Sequence, residues 1–416
     1  MKRVAIIGSG ISGLSAAYYL QRNYQVTLFE ANDYLGGHTA TVDVEVASGT
    51  YAIDTGFIVF NERTYPLFLG LLDEIGLAKQ ETEMSFSVSN RVSGFEYNGH
   101  NLNSLFCQRS NLIFPKFYRF IFEILRFNKL AIAASEQGVV SPDLRLGDFL
   151  DQHKFSEFFC QNYILPMIAA IWSSAIADAR DFPLHFFLKF FVNHGLLQVA
   201  NRPQWYVIPG GSRSYIPLLT RELSDIRLNT PVLAVERGDS GVQVLTPGHS
   251  EHFDEVIFAC HSDQALAILG ASANAKEKAI LGAIPYRDNS VILHTDDRLL
   301  PRHRNGWASW NFMLAEAEDA PPSVTYNMNI LQGIDSPETF CVSLNQDTLI
   351  NPDKILGKYC YAHPHINATT IAAQQRRHEI CGVQHTHFCG AYWYNGFHED
   401  GLRSAVDVVK RLGVSI

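Results

Sequence analysis

The chain has 416 residues, 47% of them apolar, enough for a large core shared between two domains. A formal charge of -9 and a pI near 6.0 leave no basic footprint for a polyanion, which excludes nucleic acid as a partner. The seven cysteines show no C-x-x-C pair and no zinc-like spacing, which fits reduced thiols in a cytosol and not a disulfide framework.

The first element is the apolar run Val4–Ile7, which leads directly into Gly8, Gly10 and Gly13, a helical segment and a second apolar run ending at Glu30. In such a strand–turn–helix–strand unit the first glycine allows the turn, the second lets a pyrophosphate approach the backbone, and the third lets helix pack on strand. The phosphates then rest on a helix N-terminus, and Glu30 follows at the distance where a carboxylate accepts hydrogen bonds from a ribose. A strand this early leaves no room for a signal peptide, and no run of about 18 uncharged apolar residues predicts a membrane span.

Next, Tyr34–Asn61 reads as strands, with alternating valines before a glycine turn at Gly49. Fifteen of the 27 phenylalanines then fall between Phe106 and Phe191, so aromatic surface is concentrated there. Within that region Phe117, Phe120, Ile121 and Ile124 share one helical face, and Lys116, Arg119, Glu123 and Arg126 take another. Further helices are expected around Phe158–Ile171 and Leu184–Leu197. Ile226–Cys260 reads as four short strands, and the chain closes with a strand near His387–Ala391, a loop and a helix from about Asp400 to Leu412. No low-complexity tract or internal repeat is present.

Taken together, GSGISGLSAAYYL, LGGHTATV, IDTGFIVFN, IWSS, IPGGSRSYI, LHTDDRLLPRHRNGWASWNF, YNMNILQ and GAYWYNGFHEDGL resemble the flavin-containing amine oxidase superfamily, which also holds protoporphyrinogen oxidases and carotenoid desaturases. Within it the chain is most similar to a bacterial subgroup of predicted NAD/FAD-binding oxidoreductases associated with cyclopropane-fatty-acid-synthase-like methyltransferases. The resemblance implies an α/β fold: a Rossmann-like FAD-binding domain of the amine oxidase type, formed by 1–65, 205–265 and 380–416, with an inserted α+β substrate domain formed by 66–204 and 266–379.

It also implies a bound FAD, held by Gly8, Gly10, Ile11, Ser12 and Gly13, with Glu30 and Ala31 at the adenosine ribose. Gly36, Gly37 and His38 would lie near the pyrophosphate, Val232 at the adenine, and Gly56, Phe57 and Ile58 near the flavin ring. Gly390, Asp400, Gly401 and Leu402 would close the ribityl and pyrophosphate end. The chain departs from the superfamily at four points. Ala391 and Tyr392 stand just after the late strand where many relatives carry an acid, a role left to Glu399 or Asp400. His38 stands where most relatives have Arg, which weakens or changes one phosphate contact. No Lys lies between Lys278 and Lys354, where amine oxidases commonly hold one beside the flavin. Phe397 matches a tyrosine of the amine cage.

His38, Tyr394 and His398 are candidates for catalytic proton transfer by location. Trp172, Trp205, Trp393 and Phe397 are candidates for substrate contact, with Trp393 expected to wall the cavity. Six histidines between His363 and His398 invite a metal hypothesis, but His385 and His387, on the last strand, and His398, in the following loop, are expected to pack near the flavin instead, and no metal is expected. Asp296 and Asp297 read as a solvated turn.

The expected activity is FAD-dependent oxidation of a hydrophobic, fatty-acyl or lipid substrate by hydride transfer, giving desaturation or double-bond isomerisation. The alternatives are a flavin amine oxidase and a non-catalytic flavoprotein partner of a lipid methyltransferase. The expected location is cytoplasmic, with the basic face of the Lys116–Lys129 helix able to rest on the inner face of an anionic membrane.

Overall fold

The computed structural model describes residues 1–136, 141, 143–172, 176–198, 202–314 and 324–416; Ser173 and Ser174 of the IWSS motif lie outside them. Strands β1 (Arg3–Ile7), β2 (Gln25–Phe29), β3 (Ile226–Arg227), β4 (Glu255–Phe258) and β5 (Thr386–Phe388) form a parallel sheet in the order β3-β2-β1-β4-β5. Both faces are covered, which is why Val4–Ile7 is apolar throughout instead of alternating. Val4 and Ile6 pack under helices α1 (Ile11–Leu20) and, from the far end of the chain, His398–Arg411. Ala5 and Ile7 pack on the other side with Leu269, Ile280 and the valines of an antiparallel meander. That meander, Ala234–Gly238, Gly241–Thr246 and His249–Phe253, connects β3 to β4. Ile226–Cys260 therefore carries five strands, one more than its pattern suggests, because β3 is only two residues long.

The helix Pro66–Ile75 buries Phe68, Leu71 and Leu72 in the core shared by α1 and the last helix. Its Leu67 and Phe68 N–H groups both donate to the Glu399 carboxylate at 2.9 Å. Glu399 thus caps a helix N-terminus from more than 300 residues away, where its charge also complements the helix dipole. We expect Glu399→Ala to cost about 2 kcal/mol in urea unfolding, because it strands two buried donors.

A second sheet of seven strands runs Ile355–Pro364, Tyr286–His294, Cys341–Leu344, Val324–Asn327, Trp310–Leu314, Phe86–Asn90 and Phe95–Asn98. It is antiparallel except where Trp310–Leu314 lies parallel to Phe86–Asn90. Asp296, at the end of one of its strands, is fully buried and accepts the Asn351 N–H at 2.9 Å, so it is not part of a solvated turn.

Beside this sheet lies the aromatic helical region, with α2 (Pro115–Glu136), the segment Glu157–Trp172 and α3 (Leu184–Asn193). The middle segment passes through a π turn at Cys160–Ile164. Pro166 has no N–H to offer the Asn162 carbonyl, and the Tyr97 hydroxyl donates to that carbonyl instead at 2.9 Å. On α2, Phe117, Phe120, Phe127 and Ala131 face inward, and Ile121 and Ile124 are half-buried. Glu123, expected on the solvated face, is buried and accepts the Ser156 N–H at 3.0 Å. No described helix is long and apolar enough to cross a membrane.

Candidate flavin site

The opening glycines form a cradle whose shape can be read atom by atom. A Cβ on Gly13 would sit 1.9 Å from the Gly8 carbonyl oxygen, so α1 can approach β1 only without a side chain there. A Cβ on Gly10 would meet nothing within 4 Å, so the space beside it is open. Gly36 bridges to Gly10, and its N–H donates to the Ser9 carbonyl at 3.1 Å, which lays the Gly36–Gly37 turn against the first turn of α1. An open space enclosed by glycine backbone at a helix N-terminus suits a pyrophosphate.

Glu30 ends β2 beside this cradle, buried. It accepts hydrogen bonds from the Ser9 N–H (3.0 Å) and hydroxyl (2.6 Å) and from the Asn32 N–H (2.9 Å) and side-chain amide (3.0 Å). Two of these four donors are side-chain groups, free to rotate where backbone N–H groups are not, so ribose hydroxyls can take their place on the carboxylate. Ala31 is exposed next to it, and Val232 packs in the same core as Phe29.

The C-terminal segment closes the cradle through α4 (His398–Arg411). Ser12 on α1 donates its hydroxyl proton to the Gly401 carbonyl at 2.9 Å, and a Cβ on Gly401 would come within 2.7 Å of Ile11. The Gly390 N–H donates to the Ser404 hydroxyl at 2.7 Å, and Leu402 is fully buried. The N-termini of α1 and α4 therefore meet, and with them two positive dipole ends. Asp400 sits in the first turn of α4 and accepts the Phe397 N–H at 2.9 Å, while burial pushes its carboxyl up to about 7.

At the other end of the cradle, Phe57 donates its N–H to the His38 carbonyl at 2.8 Å, and a Cβ on Gly56 would fall 2.0 Å from that oxygen. The Phe57 ring stacks on His398 with 3.7 Å between centroids. His398 Nε2 lies 3.2 Å from the Tyr215 hydroxyl, which in turn bonds Thr39. Ile58 points away into the core of the seven-stranded sheet. The His38 ring has Tyr361 at 5.2 Å and His261 and His363 each at 5.7 Å, and its Nε2 is buried without a protein partner. Burial lowers the pKa of all four imidazoles: His38 and His398 to about 3, His363 to about 4, and His261 in the same direction. The layer is neutral at physiological pH, and no group of described residues could hold a metal ion.

Several sequence expectations are corrected here. His385 and His387 do not reach the cleft; they turn to Glu255 at 3.6 and 3.2 Å, at the amino end of β4, opposite the carboxyl ends where nucleotides bind. Tyr394 donates its hydroxyl to Asp407 at 2.6 Å on the outer face of α4, away from His38 and His398. Trp393 packs in the core behind the parallel sheet, with the Arg377 guanidinium 5.4 Å from its ring, and does not wall a cavity among the other aromatics. Conversely, His261, Tyr361, Tyr215, Ser9 and Asn32 join the site without having been singled out. Ser9, inside the glycine motif, and Tyr215, inside IPGGSRSYI, carried a local signal; the other three did not.

The remaining candidates gather in the helical region. Phe397 stacks on Phe190 of α3 at 5.1 Å and lies 5.9 Å from His194. Trp172 packs against Phe182 and Phe190 at 4.5 and 4.7 Å, with its indole N–H buried and without a partner. It also lines a cavity of about 170 Å³ with Arg287 and His365. Trp205 lies on a strand pairing both Phe60–Asn61 and Gln80–Thr82, against the core of the seven-stranded sheet.

A profile of the family described as flavin containing amine oxidoreductase matches residues 11–310. The chain belongs to this family. Its fold is the α/β fold of that family and its cofactor is FAD, for which the open glycine cradle, Glu30 and the meeting of α1 and α4 provide the fitting residues. The family's chemistry is that of FAD-dependent oxidoreductases. A 1-hydroxycarotenoid 3,4-desaturase of Flavobacterium sp. (strain P99-3) is 37% identical over 98 residues, which is 23% of this chain and only 18% of that relative's length. Among solved structures, cyclohexylamine oxidase from Brevibacterium oxydans IH-35A superposes with a TM-score of 0.69 at 17% identity, over 99% of each chain. The CLA-producing fatty acid isomerase from P. acnes superposes with a TM-score of 0.70 at 14% identity, also over 99% of each chain. These structural likenesses establish the fold.

Proposed function

We propose that the protein oxidises or isomerises a long apolar substrate of the fatty-acyl class, with a C–H bond of the substrate as hydride donor. The observation that carries this reading is the aromatic cluster that Phe397 joins: it stacks on Phe190, which Trp172 and Phe182 adjoin. Asp178 and Asp181 line the cavity beside Trp172, where Asp178 is paired with Arg287 at 3.1 Å. On the α4 side, Glu399 is committed to two N–H groups, and Asp400 is held protonated up to about pH 7. Burying a dozen methylenes against such a surface contributes on the order of 10 kcal/mol, which suffices without a charged anchor. The name of the fatty acid isomerase agrees with this substrate class, and that of the carotenoid desaturase agrees only with a long apolar substrate.

Bound FAD supplies the hydride acceptor. The chain's part is to orient the substrate over aromatic rings, to exclude water, and to keep His38 and His398 neutral, so that no positive charge competes for the cleft. His398 is oriented by its stack on Phe57 and by the Tyr215 hydroxyl.

The test is anaerobic mixing of the yellow protein with a panel of fatty acids and phospholipids beside a panel of mono- and polyamines. Bleaching of the flavin by an unsaturated acyl chain, or its conversion to a double-bond isomer seen by mass spectrometry, is the expected result. Bleaching by amines with release of hydrogen peroxide would overturn it in favour of amine oxidation.

A further inference from the structure

We infer that the outer face of α2 and the turn leading into it form a docking surface for an anionic lipid bilayer, into which the protein dips without spanning it. The helix has two apolar faces. One is buried in the aromatic core; the other, opposite, carries Tyr118, Phe122 and Leu125, all exposed, with Phe122 at 64%. The turn Arg109–Ile113 and the residue after it extend this face with Leu112, Ile113 and Phe114, Ile113 being 79% exposed. Tyr118 ties turn and helix together by donating its hydroxyl to the Leu112 carbonyl at 2.8 Å. Six large apolar side chains turned outward on one ridge are more than the scattered exposure usual for a soluble surface.

Charge decides what covers the ridge. Arg109, Lys116, Arg119 and Lys129 are exposed and Arg126 is half-buried, five cations in a chain whose net charge is -9. Arg119 also faces Glu123 at 3.9 Å, and Lys116 and Arg126 flank the helix over the Phe158 and Phe155 rings at 4.0 and 4.2 Å. The single acid between Arg109 and Lys129 is Glu123, which is buried and bonded to Ser156. An apolar ridge edged by cations matches acyl chains below anionic headgroups. It does not match a second copy of itself, because a twofold contact would bring two sets of five cations together. Behind the ridge, Phe127 of α2 meets Phe187 of α3 at 6.0 Å, and Phe190 of α3 meets Phe397, so the surface backs onto the aromatic region. The docking inference rests on the surface alone and not on the identity of the substrate.

The test is flotation of the FAD-loaded protein with vesicles of phosphatidylcholine alone or mixed with phosphatidylglycerol, read without turnover. The wild type is expected to float with the mixed vesicles and to be released by salt. Phe122→Glu and Ile113→Glu should stay at the bottom while keeping flavin colour and melting temperature. Lys116→Gln and Arg119→Gln should each weaken binding to the anionic vesicles by about fivefold, the equivalent of ~1 kcal/mol per surface cation. The inference is overturned if the wild type floats with neither vesicle, if Phe122→Glu floats as well as the wild type, or if the wild type self-associates in solution and Phe122→Glu abolishes that. Each of these outcomes leaves the acyl-substrate test standing.

Discussion

Gly10→Val should yield a folded, colourless protein, and Gly13→Val should yield little folded protein at all. The two glycines are three residues apart in one motif, but the structure separates their roles. The first atom of a side chain on Gly10 meets no protein atom within 4 Å, so the apoprotein should keep its fold. The same side chain fills the cradle in which a diphosphate would meet the backbone, and flavin retention should fall by several orders of magnitude. On Gly13 the Cβ would overlap the Gly8 carbonyl oxygen at 1.9 Å, forcing α1 away from β1 and opening the core beneath both. Flavin absorbance after reconstitution, together with the melting temperature of the apoprotein, checks both halves. A yellow Gly10→Val protein, or a Gly13→Val protein as stable as the wild type, would remove the basis for placing the cofactor here.

What the sequence discloses and what it hides follow the range of the contacts. Gly8, Gly10, Gly13 and Glu30 are legible because one strand–turn–helix–strand unit holds them, and its spacing is set by local geometry. The closing of α4 on α1 is legible as a motif, but its physical cause, Gly401 seated against Ile11 and Ser12, spans nearly the whole chain. Glu399 shows why the role of a conspicuous acid cannot be read locally: the N–H groups it accepts belong to Leu67 and Phe68. The neutral imidazole layer is hidden for the same reason, since His261 follows β4 and His363 belongs to the edge strand Ile355–Pro364 of the other sheet. Trp393 and Tyr394 are misread from proximity in the chain. The turn Ala391–Trp393 sends one into the core and the other to the outer face of α4, although both neighbour the flavin motif. On α2 the apolar period is legible, but it does not tell which of two apolar faces meets protein.

Asp400→Asn should stabilise the protein at alkaline pH and make its stability less dependent on pH. The Asp400 carboxyl is buried at the first turn of α4, and that burial, reinforced by the Glu399 carboxylate, pushes its pKa up to about 7 against the opposing hydrogen bond from the Phe397 N–H. An unfolded aspartate titrates near 3.9, so between about pH 4 and pH 7 the folded state binds more protons than the unfolded one, and stability falls as pH rises through that window. Above it the cost is constant, at most about 4 kcal/mol for a displacement of about three units at 1.36 kcal/mol each. Asparagine keeps the shape and can still accept the Phe397 N–H through its carbonyl oxygen, but has no charge to desolvate. Urea unfolding of the apoprotein should therefore show the variant more stable than the wild type by about 2 to 4 kcal/mol near pH 8, and the two much closer near pH 4.5. If a diphosphate docks at the same helix end, its negative charge raises the Asp400 pKa further, so the wild type takes up a proton on binding FAD. Its FAD affinity then weakens as pH rises through neutrality, while that of Asp400→Asn does not. A wild-type affinity independent of pH would show that the carboxyl and the diphosphate do not share this end of α4.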